Sequence, residues 1–101
     1  MQFMLALDVL LINKQKMSDI TIYTKDYCPF CIKAKSLLVL KQVKFTEINL
    51  HKHPEKFEEM MKKSNGAQTV PQIFSSEKYI GDCDKLYELN AQGKLDQLLG
   101  I

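Results

Sequence analysis

The chain has 101 residues, of which 46% are hydrophobic and 26% are charged. This length and composition indicate one compact globular domain, which excludes a separate regulatory or substrate domain and also a disordered or fibrous protein. The formal net charge of +2 is spread along the sequence, so it excludes the clustered basic face of a nucleic-acid-binding protein.

The cysteine pattern bears on the compartment. Three cysteines are present, and two of them form a C-x-x-C pair at Cys28 and Cys31. An odd number of cysteines does not make the paired framework of a small secreted domain. We therefore expect a reducing, cytoplasmic location.

The first twelve residues are mostly apolar. This run is too short to span a bilayer, Asp8 interrupts it, and it lacks the basic segment and the small-residue cleavage site of a signal peptide. We expect no membrane association, and we expect residues 1–16 to form an extension outside a domain of residues 17–101. An additional packing strand or helix is the alternative for residues 1–16.

The first predicted element is a buried strand in the β-branched and aromatic segment 20–24. A turn at residues 25–27 leads to a predicted helix from Pro29 to about Leu40. Proline is favoured at the first position of a helix, because its missing N–H would be unpaired there anyway. Alternating apolar and polar residues predict a second strand over 43–50. A helix between two strands makes a βαβ unit, so this pair should be parallel.

The second half of the chain continues this alternation of helices and strands. Pro54 opens an acidic turn and a helix that should end near Gly66, where glycine suits a left-handed conformation. Two short strands, 72–75 and 78–80, are predicted to form a hairpin, and residues 82–100 return to helical spacing. The order β-α-β-α-β-β-α predicts an α/β fold with a mixed four-stranded sheet flanked by helices.

The segment Cys28-Pro29-Phe30-Cys31 places a cysteine at the start of the first predicted helix. A thiolate attacks a disulfide and a thiol does not, so the attacking cysteine needs surroundings that favour its ionised form. The positive end of the helix dipole and the nearby Lys25 provide such surroundings. Cys31 follows on the same helix face, so a disulfide between the two is feasible. Because Cys31 should lie inside the helix, facing the sheet, we expect Cys28 to attack and Cys31 to resolve.

A zinc site is the structural alternative for a C-x-x-C pair, and it requires about four Cys, His or carboxylate ligands. Here Cys83 is isolated in sequence, and His51 and His53 would lie in a loop beyond the second predicted strand. A proline that follows the first cysteine and opens a helix after a βα turn favours a redox pair instead. No metal is therefore expected.

Four segments carry a family resemblance, and they occur in the order Tyr23–Lys25, Tyr27–Cys31, Thr69–Phe74 and Gly81–Leu86. Together they closely resemble the glutaredoxins, in particular the small bacterial dithiol type. The resemblance runs from about Asp19 to the C-terminus and leaves the upstream residues outside. It implies a thioredoxin-like fold in which the Val70-Pro71 peptide bond is cis.

The resemblance also implies a glutathione site. Lys25 would contact the glycyl carboxylate, and the backbone of Val70 would pair with the cysteinyl part. A helix start at Cys83 and Asp84 would hold the γ-glutamyl end, and Tyr27 would pack beside the mixed disulfide. The full set of implied glutathione contacts is Lys25, Tyr27, Thr69, Val70, Pro71, Cys83 and Asp84.

Glu58 and Cys83 are the two positions whose roles the resemblance leaves open. Many glutaredoxins carry Gln or Arg in the second helix as a further contact to the glycyl carboxylate, whereas Glu58 occupies the position that we align with it. We leave that contact unassigned. Cys83 has two interpretations, a small buried neighbour of the ligand or an extra thiol open to glutathionylation, and the burial typical of free cysteines favours the first.

We therefore predict a monomeric enzyme that uses glutathione to reduce protein disulfides and glutathione mixed disulfides. Its expected partners are glutathione, glutathionylated or disulfide-containing proteins such as ribonucleotide reductase, and indirectly glutathione reductase. One alternative is a thioredoxin-like enzyme served by a flavoprotein reductase, but Trp is absent and Pro-Phe separates the cysteines. The other is an iron–sulfur carrier that ligates a cluster through Cys28 and glutathione from two subunits, but such family members usually have a smaller residue than Pro29.

Overall fold

The computed structural model describes residues 19–101 of the chain. The expected extension over residues 1–16, and the domain start at residue 17, lie outside the described residues and stay predictions. Among residues 19–101, the helices are all too short or too polar to cross a membrane.

The strands and helices follow the predicted order. They are β1 (Ile20–Thr24), α1 (Pro29–Leu40), β2 (Phe45–Asn49), a 3-10 helix (Pro54–Lys56), α2 (Phe57–Lys63), β3 (Gln72–Ser75), β4 (Lys78–Gly81), α3 (Cys83–Ala91) and α4 (Leu95–Leu99). The four strands and α1 lie where the sequence predicted them. β2 is shorter than the predicted segment 43–50, and β4 reaches one residue further than predicted.

One mixed sheet contains the four strands in the order β2-β1-β3-β4. β1 runs parallel to β2 and antiparallel to β3, and β3 runs antiparallel to β4. The predicted parallel pair and the predicted hairpin are both confirmed. Because β1 and β3 are antiparallel, Tyr23 near the end of β1 lies opposite Gln72 at the start of β3. The turn that follows β1 and the loop that precedes β3 therefore meet at the same edge of the sheet.

Helices cover both faces of the sheet, since successive strand residues point to opposite sides. On one face, Ile22 of β1 belongs to a buried cluster with Leu38 of α1 and with side chains of α3 and α4. On the other face, Tyr23 of β1 and Phe74 of β3 belong to a second cluster with Met60 of α2. The sheet is thus a central layer between the two buried clusters.

The final helical segment differs from the prediction of one helix over residues 82–100. It forms two helices, because Gly93 adopts a left-handed backbone with φ of 73°. The N–H of Lys94 donates to the carbonyl oxygen of Leu89 across 2.9 Å. This bond gives a carbonyl in the last turn of α3 a hydrogen-bond partner, and the chain turns there before α4 begins. The glycine inside an otherwise helical pattern was the available signal for this break.

Candidate active site at the start of α1

A short turn carries the chain from β1 to α1 and places Tyr27 beside Cys28. Tyr27 has a left-handed backbone with φ of 55°, and it is 99% exposed. The backbone N–H of Asp26 donates to Nδ1 of His51 across 3.1 Å, and Nδ2 of Asn49 donates to Oδ1 of Asp26 across 2.8 Å. The Asn49 bond is the main reason that the pKa of Asp26 lies below its usual range. These bonds tie the turn to the segment that follows β2.

Cys28 and Cys31 form a disulfide at the amino end of α1. Their Cα atoms are 5.2 Å apart, which lies within the range for a disulfide. Cys28 is the N-cap residue of α1, and its Sγ accepts a hydrogen bond from the backbone N–H of Cys31 across 3.1 Å. Cys28 is partly exposed and Cys31 is 2% exposed. The burial of Cys31 is as the sequence predicted, and only Cys28 is accessible to a large substrate.

The loop before β3 lies against Cys28. Its Val70-Pro71 peptide bond is cis, as the resemblance implied. The carbonyl oxygen of Val70 is 4.0 Å from Sγ of Cys28, and Pro71 is buried. The loop therefore forms a wall beside the more accessible sulfur.

An open groove of about 310 Å³ runs from this loop to the start of α3; its lining residues are Phe30, Thr69, Val70, Pro71, Asp82, Cys83 and Asp84. Thr69, Val70, Pro71, Cys83 and Asp84 were all implied as glutathione contacts, and the structure brings them together. Phe30 and Asp82 were not assigned to the site from the sequence. Their positions carried a signal, since Phe30 lies between the two cysteines and Asp82 opens a predicted helix.

The start of α3 forms one end of the groove. Asp82 is the N-cap residue, and its Oδ1 accepts a hydrogen bond from the backbone N–H of Lys85 across 2.9 Å. Other N–H groups in the first turn of a helix have no partner within the helix, so this end suits a carboxylate. Cys83 is buried, and burial raises the pKa of its thiol above the usual value. Cys83 is therefore a neutral, poorly accessible thiol beside the groove.

Two predicted contacts, Lys25 and Tyr27, lie on the turn before Cys28 and do not line the groove. Nζ of Lys25 is 5.9 Å from the centre of the Phe57 ring in α2, which is within cation–π distance. Phe57, which directly precedes Glu58, is thus the residue of α2 that the structure places against Lys25. Glu58 itself is exposed.

The two histidines lie near carboxylates. Nδ1 of His51 is 3.4 Å from Asp26, and Nδ1 of His53 is 3.6 Å from Glu55. Within residues 19–101, no three side chains of the His, Cys, Asp or Glu type are close enough together to hold a metal ion. The zinc-site alternative therefore lacks a ligand set in this part of the chain.

Comparison with known proteins decides the family. A sequence model described as Glutaredoxin matches residues 20–80, which is more than half of the chain. The chain belongs to the glutaredoxin family. Glutaredoxin 3 of Escherichia coli strain K12 is 51% identical to it over 83 residues, which cover 82% of this chain and 99% of the relative.

Solved structures agree with this assignment. The solution structure of glutaredoxin from Brucella melitensis has a TM-score of 0.71 and 45% identity, and the match covers 83% of this chain and 90% of that chain. The crystal structure of the buckwheat glutaredoxin–glutathione complex has a TM-score of 0.72 and 25% identity. The match covers 92% of this chain and 89% of that chain. The predicted thioredoxin-like fold is confirmed.

Membership in the family identifies this glutaredoxin as a thiol–disulfide oxidoreductase. The Cys28–Cys31 pair has the sequence spacing and the separation that this reaction requires. The predicted enzyme class is therefore confirmed. The comparisons do not favour the thioredoxin-like reductase or the iron–sulfur carrier.

Proposed function

We propose that this glutaredoxin uses glutathione to reduce glutathione mixed disulfides and protein disulfides, with Cys28 as the attacking sulfur and Cys31 as the resolving one. The asymmetry of the pair carries the proposal. Cys28 is partly exposed at the N-cap of α1, and its Sγ accepts the N–H of Cys31, whereas Cys31 is buried. The helix start stabilises a thiolate at Cys28. A buried Cys31 can reach only a disulfide that Cys28 has already formed.

With a glutathionylated protein, the Cys28 thiolate attacks the glutathione sulfur. A bond forms between Sγ of Cys28 and that sulfur, the substrate disulfide breaks, and the released substrate thiolate takes a proton from water. A second glutathione, as its thiolate, then attacks the glutathione sulfur held on Cys28. Oxidised glutathione forms and Cys28 leaves as a thiolate, so one mixed disulfide and one glutathione give one protein thiol and one oxidised glutathione.

With a protein disulfide, Cys28 first forms a mixed disulfide with one substrate sulfur, and the other substrate sulfur leaves as a thiolate. Cys31 then attacks Sγ of Cys28, displaces the substrate and closes the disulfide seen in the structure. Two glutathione molecules reduce that disulfide and leave as oxidised glutathione. Glutaredoxin potentials of about −200 to −230 mV lie close to the cellular glutathione poise, so glutathione is a sufficient reductant.

The groove beside Cys28 has the chemistry to hold glutathione. The γ-glutamyl carboxylate of glutathione suits the start of α3 at Cys83, and the Asp84 carboxylate suits the ammonium group of the same γ-glutamyl residue. The cysteinyl part of glutathione is proposed to lie next to Val70, whose carbonyl oxygen is 4.0 Å from Sγ of Cys28. The buckwheat relative was solved as a glutathione complex, which supports this ligand.

The remaining contacts come from the loop and from the turn before Cys28. Thr69 and Pro71 supply the wall of the groove on either side of Val70. Lys25 is proposed for the glycyl carboxylate, and the exposed ring of Tyr27 for packing beside the mixed disulfide. Nζ of Lys25 lies 5.9 Å from the centre of the Phe57 ring, so this contact restricts where the ammonium group can lie.

The proposed protein partners are glutathionylated or disulfide-containing proteins, and ribonucleotide reductase is one candidate. Glutathione reductase would act indirectly by regenerating glutathione. The proposed compartment is the cytoplasm, where the glutathione pool keeps such cysteines reduced. A monomer suffices for the reaction, because both cysteines and the whole groove come from one chain.

A coupled assay tests the proposal. Loss of NADPH is followed in the presence of glutathione, glutathione reductase and a small glutathione mixed disulfide. We expect the wild type to turn over with a rate that saturates in the mixed disulfide. Turnover with a flavoprotein thioredoxin reductase, and none with glutathione, would assign the chain to the thioredoxin-like alternative instead.

A further inference from the structure

Gln72 is a buried polar side chain at the start of β3. The residue is 2% exposed, yet both ends of its amide are hydrogen-bonded. Nε2 donates to the carbonyl oxygen of Thr69 across 3.0 Å, and Oε1 accepts from the hydroxyl of Tyr79 across 2.5 Å. Burial of an amide is unfavourable unless such bonds are made, so the orientation of this side chain is strongly determined.

The bond to Thr69 fixes the orientation of a peptide plane. The carbonyl of Thr69 and the N–H of Val70 belong to one peptide unit, which is planar and trans. In a trans peptide the C=O and N–H bonds point in opposite directions. Because the Thr69 carbonyl points to the buried Gln72, the Val70 N–H points away from it, and Val70 lines the groove.

Tyr79 determines which end of the Gln72 amide faces Thr69. Its hydroxyl donates to Oε1, so Nε2 is directed toward the Thr69 carbonyl. Without that hydroxyl, Oε1 loses this donor while it remains buried, so the amide can turn toward another donor and its bond from Nε2 to the Thr69 carbonyl is weakened. The Tyr79 ring is held 5.1 Å from the ring of Phe74, within the β3–β4 hairpin.

We propose that Tyr79 and Gln72 are positioning residues for glutathione, because the chain of hydrogen bonds from the Tyr79 hydroxyl through the Gln72 amide to the Thr69 carbonyl aims the Val70 N–H into the groove. This inference rests on the proposed function, since it requires the cysteinyl part of glutathione beside Val70. Neither residue lines the groove. Both act through the orientation of one peptide unit.

The test measures the stability of the Cys28 mixed disulfide in a Cys31→Ser background. Equilibrium constants are determined for exchange with oxidised glutathione and with the disulfide of 2-mercaptoethanol, which has no peptide group to accept a bond from Val70. The ratio of the two constants reports recognition of glutathione in the groove. The added variants are Tyr79→Phe and Gln72→Met, and the matched control is Tyr87→Phe, which loses a hydroxyl bonded to the Lys33 carbonyl across 2.9 Å.

We expect Tyr79→Phe and Gln72→Met to lower the preference for glutathione by about five- to tenfold, the effect of one weakened hydrogen bond. The 2-mercaptoethanol constant should stay within about twofold of the background value, and Tyr87→Phe should leave the preference unchanged. Unfolding temperatures of all variants are measured in parallel, and Tyr79→Phe alone suffices if Gln72→Met does not fold.

The outcomes separate this inference from the function on which it rests. If the Cys31→Ser background shows no preference for glutathione, the proposed glutathione groove is wrong. If the background prefers glutathione and Tyr79→Phe keeps that preference while losing thermal stability, the two residues are merely structural and the inference is overturned.

Discussion

The hydroxyl of Tyr23 donates a hydrogen bond to Oε2 of Glu59 across 2.5 Å. Tyr23 lies on β1, just before the turn to Cys28, and Glu59 lies on α2, so the bond joins the strand beside the active site to the helix that covers it. It is the main reason that the pKa of Glu59 lies below its usual value. Burial, followed by this bond, raises the pKa of Tyr23 above its usual range.

Replacing Tyr23 with Phe should lower the free energy of unfolding by about 1 kcal/mol at pH 7, a modest value because Glu59 is partly exposed. A carboxyl group with a lowered folded pKa stabilises the fold above its unfolded pKa, and this stabilisation is lost as pH falls through the folded pKa. The difference between wild type and Tyr23→Phe should therefore narrow in acid. Urea unfolding of both proteins from pH 7 to pH 3 measures this difference in the free energy of unfolding. A difference that stays constant with pH would contradict the prediction.

Asp26 offers a second test in the turn before Cys28. Replacing Asn49 with Ala removes the hydrogen bond that does most to lower the pKa of Asp26, so that pKa should rise toward its usual value. The lowered pKa means that Asp26 stabilises the fold above its unfolded pKa, and that this contribution disappears as pH falls through the folded pKa. Carboxyl carbon NMR titration measures the change, and an unchanged titration of Asp26 would refute the assignment.

Gly81 should tolerate no side chain. Its φ is 139°, and an added Cβ would lie 2.7 Å from Cβ and Cγ of Lys85. We expect Gly81→Ala to destabilise the protein by about 2–3 kcal/mol, from strain and steric overlap together. Gly66→Ala is the matched control, because Gly66 also has a positive φ but an added Cβ would meet no atom within 4 Å. Thermal unfolding measures the stability of both variants. Equal losses of stability in Gly81→Ala and Gly66→Ala would contradict the prediction, because they would show that the Lys85 side chain moves aside without cost.

Cys83 should be a poor nucleophile in the folded protein. It is buried, and burial raises the pKa of its thiol, so little thiolate is present at neutral pH. In a Cys28→Ser, Cys31→Ser variant, Cys83 is the remaining cysteine. Its alkylation by iodoacetamide at pH 7 should be at least about tenfold slower than in the urea-unfolded chain. Rapid modification by oxidised glutathione in the folded state would favour the alternative role, an extra thiol open to glutathionylation.

Local signals predicted much of the fold. Pro29 marked the start of α1, β-branched and aromatic residues marked β1, and the alternation before Leu50 marked β2. These features depend on backbone preferences over a few residues, which the sequence displays directly. Most of the groove lining followed from the family resemblance, because its motifs lie at the ends of these elements.

Long-range contacts were not predictable in this way. The Gln72–Tyr79 bond depends on the pairing register of β3 and β4, in which Phe74 lies opposite Tyr79. The contact of Lys25 with Phe57 depends on how α2 rotates against the sheet. A single sequence does not display register or helix rotation, so both contacts required the structure.

The central claim is that Cys28 alone reduces a glutathione mixed disulfide, whereas a protein disulfide requires Cys31 as well. The most direct measurement compares the wild type, Cys28→Ser and Cys31→Ser on one substrate of each kind, with glutathione as the reductant. Cys28→Ser should be inactive on both. Cys31→Ser should retain most of its activity on the mixed disulfide and lose most of its activity on the protein disulfide. Full activity of Cys28→Ser on the mixed disulfide would contradict the account. So would the loss of activity on the mixed disulfide in Cys31→Ser.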